Sequence, residues 1–207
     1  PDMSFEQGAF VEPLACCIHG IDECRIRTGQ TAVLIGAGPI GLLLLQLARI
    51  AGASTILVVD LKDQRLQLAK HLGADFVVNP SREDLRGRLM EITGGQGADV
   101  AIEAVGSLST VKQALEIVKK GGRVTVFGVP PTKSAMEISP FDIYFREISI
   151  VGIYALTRDT FRRSIAMLRS GRIRIDPLIT ERFALDEIVK ALTLAEKKEG
   201  LKKLIYP

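Results

Sequence analysis

Three glycines in the stretch GAGPIG, Gly36 to Gly41, stand between an apolar run, TAVLI, and a helix-like run, IGLLLLQLARIAGA. The G-x-G-x-x-G spacing at a strand-to-helix turn suits a diphosphate. Gly36 permits the tight turn, Gly38 lets the diphosphate reach the backbone, and Gly41 lets the helix lie close on the sheet. Pro39 fits the first helical position, where its missing N–H costs nothing. The helix start, which includes Ile40, then offers free N–H groups and a positive dipole end to a phosphate. Glycine-rich turns also serve geometry alone, so the motif needs its context.

That context includes Asp60, which closes the apolar run TILVVD roughly 20 residues beyond the glycines, where a carboxylate can accept both hydroxyls of an adenosine ribose. Asp60, with Leu61 beside it, is therefore a candidate cofactor contact; a helix N-cap is the other role an aspartate fills at such a place. A carboxylate there repels a 2′-phosphate, which favours NAD over NADP. Lys62 and Arg65 pull the other way if they face the ligand rather than solvent. Ligands of such sheets sit at the carboxyl ends of strands. The tips Ala104-Val105-Gly106 and Phe127-Gly128-Val129 are therefore candidates for the edge of a flat ring, and ordinary turns are the alternative.

The elements that must position these residues alternate. Short β-branched runs, TAVLIG, TILVVD, DFVVN, ADVAIEAVG, GRVTVFGV and EISIVGIY, are separated by amphipathic ones. Six such strands with helices between them predict an α/β fold, a Rossmann doubly wound six-stranded parallel sheet covered on both faces. Gly73, Gly94 and Gly121 follow helical runs, as helix ends prefer. After Tyr154 the rhythm changes to helix TRDTFRRSIAMLRSG, the stretch RIRIDPLITERF, helix ALDEIVKALTLAEKKEG and a last strand LKKLIYP. This tail reads as a separate lobe.

Composition limits the partners. The 207 residues are 47% hydrophobic and carry 27 basic against 24 acidic side chains without a dense basic block, so nucleic acid is not an expected partner. No run approaches the roughly 20 apolar residues of a membrane span. No leader peptide is visible, and Cys16, Cys17 and Cys24 form no paired framework, which predicts a soluble protein in the cytoplasm.

Taken together, VEPLACCIHG (Val11 to Gly20), GAGPIGLL, VVDLKDQRLQLAKHLGAD, GADVAIEAVG, GGRVTVFGVP, REISIVGIY and DPLITERF resemble the zinc-type medium-chain alcohol dehydrogenases, in the branch of sorbitol and threonine dehydrogenases. The resemblance implies a coenzyme half. Residues 1–13 would be a remnant of the catalytic lobe, 14–154 the NAD-binding domain and 155–207 a small C-terminal catalytic-lobe segment. A barrel-like domain that carries zinc-binding Cys and His in that family has no counterpart in these residues, so the chain reads as a fragment, inactive alone. Glu12 resembles the branch's acidic zinc ligand, although a surface carboxylate before a proline is the plain alternative. Cys16 resembles a nicotinamide contact, and Cys17 and Cys24 resemble small buried fillers. Arg65 resembles the basic residue beside the ribose, Phe127, Val129 and Ile153 resemble backbone partners of the carboxamide, and Lys202 resembles a residue approaching the diphosphate. His19 is not matched to a zinc histidine and reads as structural. No catalytic residue is assigned.

The activity so implied is hydride transfer from a secondary alcohol or polyol to NAD, with zinc in the complete enzyme, and a homodimer or tetramer through the edge strand at 147–154. Two alternatives stand beside it. One is a zinc-free quinone or enoyl reductase of the same fold using NADPH; the other is a non-catalytic NAD-binding dimerisation module.

Overall fold

The computed structural model describes residues 3–197 and 199–207. Pro1 and Asp2, in the expected catalytic-lobe remnant, and Lys198, in the expected second tail helix, lie outside the described residues.

The first element is a helix, α1 (Phe5–Cys24). Ser4 caps it by accepting the Gln7 N–H, Gln7 returns the bond, and Arg25 ends it in the left-handed region at φ 50. Pro13 sits inside, and the expected division between residues 13 and 14 falls within this unbroken helix. Its buried face includes Phe10, Leu14, Cys17, Ile18 and Ile21.

The sheet follows: β1 (Thr31–Ile35), α2 (Pro39–Ile50), β2 (Thr55–Val59), α3 (Asp63–His71), β3 (Phe76–Val78), α4 (Leu85–Ile92), β4 (Ala98–Glu103), α5 (Leu108–Ile117), β5 (Val118–Val126), α6 (Pro140–Arg146) and β6 (Ser149–Gly152). Its six strands run parallel in the order β3-β2-β1-β4-β5-β6. The order reverses direction between β1 and β4, where open α/β sheets form their crevice.

Side-chain alternation builds a core on each face. Ala32 and Leu34 point to the side of α1 and α2, and Val33 and Ile35 point to the side of α4 and α5. Leu42, Leu43, Leu44 and Leu45 are all fully buried, because α2 lies between the sheet and α1. Each such leucine contributes about 1.5–3 kcal/mol of transfer free energy.

Two boundaries differ from expectation. The helix predicted through VKKG ends at Ile117, and β5 begins at Val118 with a register shift opposite Ala98 to Val100. Lys119 explains this: its Nζ pairs with Asp99 at 2.6 Å, and Asp99 also accepts the Thr31 N–H. The strand expected over 147–154 is shorter, because α6 ends at Glu147 in the left-handed region.

The tail contains α7 (Arg158–Arg169), a 3-10 turn, β7 (Ile179–Ala184), a second 3-10 turn, α8 (Ile188–Glu196) and β8 (Lys202–Tyr206), with β7 and β8 pairing as a two-stranded sheet. It is fastened to the main body at several places. The α7 helix packs on α1, and buried Gln46 of α2 exchanges two hydrogen bonds with the Arg174 backbone. Tyr206 donates to Glu6 at 2.7 Å. Among the described residues no helix is long and apolar enough to cross a membrane.

Candidate functional site

The three motif glycines have separate physical causes. Gly36 has φ +108, and a Cβ there would lie 2.9 Å from the Val105 side chain and 3.2 Å from the Ala104 carbonyl. A Cβ on Gly41 would fall on the Gly36 carbonyl oxygen, so α2 approaches the turn only because Gly41 has none. Gly38 is different: nothing lies within 4 Å of where its Cβ would be. It is the N-cap of α2, makes no side-chain cap bond and is followed by Pro39. The open space therefore lies at the positive end of α2, with first-turn N–H groups lacking helical acceptors.

Asp60 is engaged on both oxygens. Oδ2 accepts the Ala37 N–H at 2.7 Å and Oδ1 accepts the Lys62 N–H at 2.8 Å. The α3 helix has Lys62 as its N-cap, so Asp60 holds the glycine turn rather than capping the helix. Arg65 stands 4.0 Å from Oδ2 and also donates to the Gly200 carbonyl at 3.1 Å.

A cavity of about 550 Å³ opens here, bounded by Gly36, Gly38, Asp60, Leu61, Arg65, Ala104 and Val105 among others. It fits a dinucleotide in kind: an open helix start for a diphosphate, an acid at the next strand end, and apolar walls. Sequence reasoning missed Pro80, Ser109, Thr110 and Gln113, which also line it. The run SLST after Gly106 carried the signal, because Ser107 caps α5 and aligns these hydroxyls at its start.

Other predicted residues lie elsewhere. Pro39, Ile40 and Gly41 form the first turn of α2 behind the cavity. Gly106 and Gly128 face each other, since a Cβ on Gly128 would strike the Gly106 backbone. Phe127 packs its ring against Gly20 of α1, Val129 is exposed, and the Ile153 N–H reaches the Val126 carbonyl at 3.1 Å. None of these lines the cavity. Lys202 places its amine over the Phe10 ring, 5.8 Å from the centroid, and does not line the cavity.

The Cys16 thiol donates to Glu12 Oε1 at 3.3 Å, and burial followed by that carboxylate pushes it up to about 11. Among the described residues no group of three His, Cys, Asp or Glu side chains can hold a metal ion. The donor set at Glu12 therefore does not fit a zinc site by itself. His19 is tied to the Ala155 carbonyl at 2.9 Å and serves the tail.

Residues 39–170 match the family model described as zinc-binding dehydrogenase. The chain is 34% identical over 210 residues to a sorbitol dehydrogenase of Bacillus subtilis, covering 100% of the chain and 59% of that protein. It is 33% identical to an (R,R)-butanediol dehydrogenase of the same bacterium, again over 100% of the chain and 59% of the relative. In three dimensions it matches a Sinorhizobium meliloti protein crystallised with NADP at TM-score 0.90 and 38% identity, covering 97% of this chain and 59% of that one. The alcohol dehydrogenase of Thermus sp. ATN1 matches at TM-score 0.91 and 31% identity, over 100% and 60% of the two chains.

Proposed function

The chain belongs to the zinc-binding dehydrogenase family, and on that premise we propose that it is the NAD-binding part of an alcohol or polyol dehydrogenase. It spans 59% of the length of the sorbitol dehydrogenase it matches, so whole-enzyme activity is assigned by family and cofactor binding by this site. The observation that carries the reading is the open helix start at Gly38 beside the Asp60 carboxylate, in one cavity.

Bound NAD would supply a hydride acceptor. The chain's own residues bind and orient it. The α2 amides take the diphosphate, Asp60 takes the ribose hydroxyls with Arg65 beside it, and Leu61, Val105 and Pro80 shield the remainder from water. Tips 104–106 and 127–129, with Ile153 and Cys16, are assigned to the nicotinamide end. Glu12 is assigned as one carboxylate ligand to a metal that needs further ligands beyond the described residues. We assign the sheet with α1 to the cofactor and residues 155–207 to a lobe packed on it. The free β6 edge is assigned to a second copy of the chain. Among the described residues all three cysteines are free thiols, in keeping with a reducing cytoplasm.

The cofactor preference rests on Asp60, which repels a 2′-phosphate. Titration calorimetry with NADH and NADPH tests it: tighter NADH binding supports the assignment, and tighter NADPH binding overturns it in favour of the reductase reading. Alcohol-dependent NADH production by these 207 residues alone would show that they hold catalytic machinery as well as the cofactor site.

A further inference from the structure

Glu103 is the last residue of β4 and is fully buried, with relative exposure 0%. Its side-chain bonds are one-sided. Oε1 accepts three hydrogens, from Val105 N and Gly106 N at 2.8 Å each and from Thr110 Oγ1 at 2.7 Å. Oε2 is buried with no hydrogen-bond partner among the described residues. A buried oxygen left unpaired is unfavourable, and such groups call for an explanation.

The donors supply one. Val105 and Thr110 line the cavity, and Val105 is the side chain against which Gly36 of the phosphate turn has no room for a Cβ. The Glu103 main chain holds the other tip, its carbonyl accepting Phe127 N at 2.8 Å and Gly128 N at 3.0 Å. A Cβ on Gly128 would strike Gly106 and come 2.8 Å from Glu103 Oε2, and one on Gly106 would come 2.6 Å from the Val129 carbonyl. One residue therefore fixes both strand tips and the start of α5, and through Val105 it meets the glycine turn.

We infer that Glu103 is a positioning residue for the cofactor: its carboxylate sets the 104–106 tip and Thr110 in the arrangement that receives the dinucleotide, resting on the NAD-binding reading above. A neutral side chain of equal size does this worse. An amide oxygen is a weaker acceptor than a carboxylate. Turned over, the amide would set its own N–H groups against those of Val105 and Gly106.

The test is Glu103→Gln, read in three ways on the full chain. NADH affinity falls about tenfold, in line with exchanging charge-assisted for neutral hydrogen bonds. Melting temperature falls by no more than about 4 °C. Amide exchange quickens at Val105 and Gly106 while Val100, Ala101 and Ile102 in the same strand stay protected. Unchanged NADH affinity overturns the inference, as does exchange that quickens equally along β4, the mark of a merely structural acid. If the Gln variant does not fold, Thr110→Val removes one donor and keeps the acid: NADH binding about fivefold weaker supports the inference, and unchanged binding overturns it. The unsubstituted protein separates the two levels. If it binds no NADH at millimolar concentration, the NAD-binding reading and this inference fall together; if it binds and Glu103→Gln binds equally, only this inference falls.

Discussion

The Asp60 carboxylate accepts the Ala37 N–H at 2.7 Å across 23 residues, so the acid that closes β2 is also the strut of the glycine turn. Replacing it removes the charge-assisted bond to Ala37, about 1.5–3 kcal/mol, and the exposed one to Lys62, together with the proposed ribose contact. Asp60→Ala is expected to lower urea stability by that amount and NADH affinity at least tenfold. A variant equal to the parent in both measurements would remove Asp60 from the site.

Gly38 and Gly41 should respond oppositely to one methyl group. At Gly38 the space is empty and the backbone is extended, at φ −69 and ψ 180. Gly38→Ala should therefore melt within about 3 °C of the parent while NADH affinity falls at least tenfold, because the methyl occupies the proposed path of the diphosphate. Gly41→Ala must move α2 away from the Gly36 carbonyl, at about 1–3 kcal/mol or more. Scanning calorimetry and NADH fluorescence on both variants check this. Equal melting temperatures would mean that the turn relaxes freely.

Cys24 gives the protein an alkaline liability. Burial pushes its thiol up to about 12 from 9.0, with Glu23 raising it slightly, and the Thr125 hydroxyl and Arg123 opposing. The folded state holds this proton more tightly than the unfolded chain does. Its contribution to stability is complete below about pH 9 and is lost as pH climbs toward 12, at about 1 kcal/mol per pH unit. Urea midpoints at pH 8, 9.5 and 10.5 should fall less steeply in Cys24→Ala than in the parent. Parallel curves would show that the thiol does not report on unfolding.

Among the described residues the β6 strand pairs only with β5 in the sheet, leaving Ile150 partly exposed and the aromatic side chains Phe141 and Tyr144 of α6 in solvent. A second copy pairing along this edge would cover them. Analytical ultracentrifugation should show a dimer at micromolar concentration, and Ile150→Lys should shift it to monomer without lowering the melting temperature by more than about 3 °C. A monomeric parent would refute pairing through β6.

The sheet was legible because its signals are local: six β-branched runs, glycines at helix ends and an acid after the second run. Less legible were features defined by neighbours distant in sequence. The α1 helix carries a proline inside, and its face at Phe10, Leu14, Cys17, Ile18 and Ile21 is packed by α7 and α2, neighbours that its own sequence does not name. The start of β5 at Val118 depends on Asp99 holding Lys119. Glu103 looks like the polar end of a strand, and only the fold of the next seven residues turns three donors onto one of its oxygens. Lys202 likewise has a neighbour that its sequence position does not announce, the ring of Phe10 in α1.

The contact between Glu6 and Tyr206, 200 positions apart and 2.7 Å long, makes the path of the polypeptide nearly a closed ring. The bond clasps α1 to β8, and Tyr206→Phe, which removes the donor and keeps the aromatic ring, should lower the melting temperature by about 1–4 °C in scanning calorimetry.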